Sequence, residues 1–248
     1  MQNEWIVEDK RYIEHPGIRK RSTISAFIIL VLIPLTIWFG MEFLNDRKYY
    51  FISMFLVVYT MVPFFMVFEN RDPQARELIV ISVLAALAVM GRTMFFMLPA
   101  FKPMMAIVII SGIAFGPEAG FLVGSMSAFV SNFFFGQGPW TPWQMFALGL
   151  TGFLAGVLIR KGILRKTRLS LSIYGFLTTF LIYGGVMNIA SVLMYTERAN
   201  IRMFLASYIS GIPYDLVHAI STVFFLYFLS GPMIEKLDRI RIKYGMLR

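Results

Sequence analysis

In a chain this apolar, the side chains able to do chemistry are few. Of 248 residues, 58% are hydrophobic and 15% charged, with two histidines and no cysteine. Arg92 closes one apolar stretch and is followed by Phe96 and Lys102. Asn132 closes another, and the loop GQGPWTPWQ behind it supplies Gln137, Trp140, Trp143 and Gln144. Further along stand Tyr183 and Asn188, then Tyr214, Asp215 and His218. Asp215 and His218 have the spacing that shares one helix face, so an acid–base pair is one chemistry open to them. Amide and ionisable groups at membrane depth are costly and mark a functional site by default. Each also has an ordinary explanation. Arg92 can snorkel to an interface, the tryptophans can anchor an interfacial belt, the asparagines can bond between helices, and Asp215 can suit a helix N-terminus. Their convergence on one side is what these separate explanations leave out.

Several self-sufficient chemistries are poorly supplied. There is no GxxxxGK[ST] phosphate loop for a primary pump. The carboxylates near apolar stretches, Glu42 and Asp215, fall at their ends rather than at the depth a proton or sodium relay needs. HExxH and GxSxG are both missing. No catalytic set, metal site or cofactor is expected, and no module that would read nucleic acid. The pattern describes a non-enzymatic protein that binds a solute on one side and draws energy from others.

The elements that must position these residues are membrane spans. A soluble domain normally carries about 25% charged residues, and the mean hydropathy here is +0.69. Windows of about 20 residues give eight candidates: 22–41, 50–68, 77–98, 104–115, 119–135, 143–159, 169–194 and 214–233. The fourth is short enough to be half-buried or re-entrant. Alternate loops hold 17 and 5 of the 23 Lys and Arg residues, with Arg92 inside a span. That asymmetry assigns the +9 charge to orientation and anionic lipid, with both termini cytoplasmic. The expected division is a cytoplasmic segment 1–21, a helix pair 22–75, a six-span binding unit 76–233 and a basic tail 234–248.

Small residues recur every four positions in the six-span unit: Gly112, Gly116, Gly120, Gly124 and Ala128, then Gly152 and Gly156. Such faces let helices approach closely in lipid, and Gly116–Glu118 reads as a tight turn between two of them. Ser82 and Ala86, widened by Ala85, form a further small face that could dock a partner helix.

The stretch GPEAGFLVGSMSAFVSNFFFGQGPWTPWQMFALGLTGFLAG, with GRTMFFMLPAFKPMMAIVIISGIAFG before it, resembles the substrate-binding S components of energy-coupling factor (ECF) vitamin transporters. SNFFFGQGPWTPWQM is its most specific piece, and the likeness covers the six-span part. It implies an all-α six-helix bundle, here preceded by two extra helices, that captures a vitamin from outside. It also implies a transmembrane coupling subunit and two cytoplasmic ATPases as partners. The pocket would be built by the later helices and by the loop Met94–Pro103, and Ser82, Ala85 and Ala86 would face the coupling subunit. The region from Arg92 to Gln144 looks most like members assigned to cobalamin, with riboflavin and queuosine-like bases also open. The alternatives are a solitary small-molecule transporter and an intramembrane enzyme using His218 and Asp215.

Overall fold

The computed structural model of the chain describes residues 23, 26–43, 55, 59, 62, 75–196 and 199–244. All regular structure among them is helical, the arrangement that satisfies backbone amides in hydrocarbon within a single segment. Helix α1 begins as a π-helix, Ile28–Leu32, and runs on as Ile33–Phe43. Next come α2 (Ala75–Met94), α3 (Met104–Phe115), α4 (Pro117–Phe135) and α5 (Thr141–Arg160). Helix α6 is Arg168–Tyr195 with a π-helical middle, Thr178–Gly184, and α7 is Ile201–Tyr244. Four of these, α2, α5, α6 and α7, are long and apolar enough to cross a bilayer. Segment 1–21 and most of the expected span 50–68 lie outside the described residues.

Helix α3 is the axis of the bundle. All 12 of its residues are buried, and it is apolar on every side, as a core helix must be. At 1.5 Å per residue it reaches only about 18 Å, short of the roughly 30 Å hydrocarbon layer. Its shortness therefore reflects enclosure by α2, α4, α5 and α7 rather than a re-entrant path. Gly116, at φ 96°, is the one residue between α3 and α4, and Pro117 opens α4. A side chain at that φ would be strained, which is why GPE makes so tight a turn.

The pair α4 and α5 explains the glycine series. A Cβ placed on Gly120 would lie 2.5 Å from the carbonyl oxygen of Gly152, and one on Gly152 would lie 2.5 Å from that of Gly120. The two backbones touch, so dispersion between main chains holds the pair where lipid offers no hydrophobic drive. On the other side of α5, Ile33 of α1 is buried in one apolar cluster with Phe121, Trp143, Phe146 and Phe153.

The bundle has two chemically different ends. Arg76 lies over the Tyr244 ring at 5.2 Å, Lys166 bonds Asp238 at 2.9 Å, and Arg241 donates to the Ala114 carbonyl at 3.3 Å. Arg160 meets Glu118 at 3.6 Å. These contacts gather the start of α2, the end of α3, the end of α5 and the end of α7 at one basic end. Arg92, Lys102, Asn132 and Gln144 belong to the opposite end.

Helix α7 departs from expectation. The anticipated span 214–233 is the middle of a 44-residue helix containing Pro213 and Pro232. It is about 66 Å long by helical rise, and residues 234–244, expected as a separate tail, continue it. Asp215 therefore sits well inside a helix, and its reading as a helix-start residue is corrected. Proline removes one amide donor, a loss that neighbouring helices make good in membranes.

Candidate functional site

A small cleft opens at the end opposite the basic one. Its polar lining comes from Arg92 on α2, Lys102 before α3, Gln144 on α5, Tyr183 on α6, and Tyr214 and His218 on α7. Met104, Met105, Ala128 and Leu148 supply its apolar wall. Thioethers beside aromatic rings make an adaptable surface. Tyr183 lies in the π-helical stretch of α6, a distortion that recurs at functional sites.

Arg92 is fixed from behind. Its Nη1 donates to Ser131 Oγ at 2.6 Å and to Asn132 Oδ1 at 2.8 Å. The guanidinium lies 4.6 Å over the Phe135 ring, which stacks on Phe96 at 5.8 Å. Asn132 is fully buried and spends its Nδ2 on Thr141 Oγ1 and Gln144 Oε1, both at 2.9 Å. Thr141 in turn donates to Gln137 Oε1 at 2.9 Å, and Gln137 Nε2 donates to the Phe129 carbonyl at 3.0 Å. One asparagine thus couples the ends of α2, α4 and α5. Gln137 shapes the loop and stays outside the cleft lining.

Lys102 is held by its backbone. Its N–H donates to Ser221 Oγ at 2.8 Å, and that hydroxyl donates back to the Lys102 carbonyl at 3.2 Å. Phe95 and Phe101 pack on Phe225 at 5.1 and 5.3 Å, tying the α2–α3 loop to α7. Burial, and next the charge of Arg92, hold the loop ammonium of Lys102 down to about 8. The His218 ring meets Tyr183 edge-on at 5.0 Å and Tyr214 at 6.5 Å. His218 is 4% exposed, and its Nδ1 has no hydrogen-bond partner among the described residues.

Other sequence-chosen residues lie elsewhere. Trp143 is 0% exposed inside the α1–α5 cluster, so it is a core residue and not a belt anchor. Trp140 precedes α5 and crowds the space beside Gly138. Asn188 donates to Asp215 Oδ2 at 2.9 Å and to the Gly184 carbonyl at 2.9 Å, joining α6 to α7 away from the cleft lining. A Cβ on Gly184 would come within 2.6 Å of the Asp215 carboxyl carbon, so glycine makes that link possible. Asp215 and His218 share no hydrogen bond, and no acid–base dyad forms. Ser82 and Ala86 are exposed on α2, whereas Ala85 is buried and its carbonyl takes a bond from Ser127 at 3.5 Å. Ser131 and Ser221 were not singled out from the sequence. Their only signal was position, one residue before Asn132 and one turn after His218. No group of three or more metal-binding side chains occurs among the described residues.

A bundle of helices of membrane-spanning length, with a polar-lined cleft at one end, defines the class as a helical membrane protein. That class narrows to a family. The ECF-type riboflavin transporter, S component family matches residues 73–233, and the chain belongs to it. The chain is 30% identical over 124 residues to a UPF0397 protein of Vibrio atlanticus, covering 47% of this chain and 68% of that one. It is 32% identical over 105 residues to a UPF0397 protein of Aliivibrio salmonicida, covering 40% and 55%. A Lactococcus lactis UPF0397 protein is 32% identical over 122 residues, covering 47% and 66%. The chain thus spans roughly half to two thirds of the length of these relatives. No solved structure matches it.

Proposed function

We propose that this chain is the substrate-binding subunit of an ATP-driven vitamin importer, and that the vitamin binds in the cleft between Arg92 and His218. The observation that carries this reading is the cleft itself, where polar groups from five separate elements meet at the end away from the basic residues. By the positive-inside rule the basic end faces the cytoplasm, so the cleft opens outward, where a solute must be caught. The same rule places both termini inside in an eight-span topology.

Energy comes from outside the chain, since the sequence carries no phosphate loop. A transmembrane coupling subunit and two cytoplasmic ATPases are the partners this reading requires. The exposed pair Ser82 and Ala86 on α2 offers the coupling subunit a close-approach face, with Ala85 turned into the bundle behind it.

For the ligand, the family description favours a vitamin of the riboflavin type. A cobalamin-type ligand, expected from the sequence, is the second candidate, since the family description names riboflavin. The test is purification from native membranes without added ligand. A bound vitamin, with a coupling subunit and ATPases in stoichiometric amount, is expected. A chain that purifies alone and supports ion-gradient-driven uptake would overturn the assignment in favour of a solitary carrier.

A further inference from the structure

We propose that the ligand of this cleft is an anion, a vitamin-sized molecule whose carboxylate or phosphate sits between Arg92 and Lys102 while its flat part lies against Tyr183 and Tyr214. This rests on the vitamin-capture reading and names the substrate class within it.

The charge of the lining is the starting point. Arg92 and Lys102 both face the cleft, and among the described residues no carboxylate lines it. Among the described residues neither cation takes part in an ion pair. Asp215, the acidic residue next to the site in sequence, is committed to Asn188 at 2.9 Å. Two like charges drawn partly out of water repel each other and are costly unless an opposite charge joins them. No described side chain supplies that charge, and an anionic ligand would.

Asn132 then fixes the polarity of the neighbouring groups. Arg92 can only donate, so Asn132 must turn its oxygen to it, at 2.8 Å. The asparagine NH₂ is left to face Gln144 Oε1 at 2.9 Å. Gln144 therefore spends its acceptor on Asn132 and offers its own NH₂ to the cleft. His218 is the independent sign of a missing partner. It lines the cleft at 4% exposure with Nδ1 unbonded, and a buried polar atom left so requires a partner. Guanidinium, ammonium, amide and imidazole together make a site for an acceptor-rich, negatively charged group.

The test is a titration of the purified full-length protein with matched pairs: riboflavin and riboflavin 5′-phosphate, pyridoxal and pyridoxal 5′-phosphate, nicotinamide and nicotinate. Inorganic phosphate and phosphatidylglycerol nanodiscs serve as the two other sources of the same charge. In at least one pair the anionic member should bind roughly ten-fold tighter or more, since a charge-assisted bond contributes at that level. Arg92→Gln and Lys102→Gln, made separately, should each erase the preference; Lys102→Gln, whose side chain makes no hydrogen bond to a described residue, should also leave the melting temperature of the unliganded protein near or above that of the parent. A neutral member that binds as well as its anionic twin ends the anion proposal and leaves vitamin capture standing. Binding by no member of any pair removes both for these vitamins. Inorganic phosphate or lipid headgroup binding as tightly as the vitamin anion overturns the proposal in favour of a simple anion or lipid site.

Discussion

Replacing Asn132 by leucine tests how the cleft is organised. The side chain is fully buried, and leucine has the same branched framework with bulkier ends, so the change removes polarity without opening a hole. Three bonds are lost: from Arg92 at 2.8 Å, and to Thr141 and Gln144 at 2.9 Å each. The charge-assisted bond is worth about 1.5–3 kcal/mol, and neutral bonds between membrane helices average about 0.6 kcal/mol each. Arg92 keeps Ser131 at 2.6 Å, so the net loss should be roughly 2 kcal/mol rather than the full sum. Part of this falls on stability and part on affinity, because Arg92 and Gln144 both lose their aim. For the vitamin that saturates the parent protein, a drop in affinity of about ten-fold is expected by calorimetry, with the fold retained. Asn188→Ala is the control: it breaks the α6–α7 link outside the cleft, so it should lower the melting temperature and leave affinity nearly unchanged. If Asn132→Leu binds as tightly as the parent, the network behind Arg92 does not organise the site.

Three further outcomes follow from the geometry. Gly152→Ala places a Cβ 2.5 Å from the Gly120 carbonyl, where ordinary contact begins at 3.4 Å; separating α4 from α5 should cost about 1–3 kcal/mol, and an unchanged melting temperature in detergent would contradict the seam. The Lys102 ammonium is held down to about 8 from 10.5, so the unfolded chain binds the proton more tightly. The stability of the empty protein should therefore rise with pH from about 8 to 10.5, while affinity for an anionic ligand falls; parallel trends would refute the sign. Ser82→Trp combined with Ala86→Trp adds bulk to an exposed face of α2; ligand binding should be kept and co-purification of the coupling subunit lost, and retained co-purification would move that interface elsewhere.

What the sequence made legible follows from the physics of each feature. Apolar length marks helices, and the window Met104–Phe115 coincides with α3 because a buried loop at either end cannot stay apolar. The four-residue glycine spacing located the α4–α5 contact, since only close backbone approach demands it. The cleft was legible through its costly residues: Arg92, Lys102, Gln144, Tyr183, Tyr214 and His218 stand out against hydrocarbon, and all six line it. Residues that serve the site from behind gave little signal. Ser131 and Ser221 are cheap to place in any helix, because a serine can bond its own preceding turn. Trp143 resembled a belt anchor because composition cannot tell an interface from a packed core. Asp215 resembled a helix start because the apolar window opened at Tyr214, and only the tertiary link to Asn188 shows why a carboxylate stands in mid-helix.

The most direct measurement is uptake of labelled riboflavin, riboflavin 5′-phosphate and cobalamin by cells that express the chain with its coupling subunit and ATPases. Uptake of at least one of the flavins is expected, abolished when the catalytic glutamates of the ATPases are replaced and reduced by Lys102→Gln. Uptake that persists without ATP hydrolysis, or that is equal in cells lacking this chain, would contradict the assignment as the vitamin-capturing subunit.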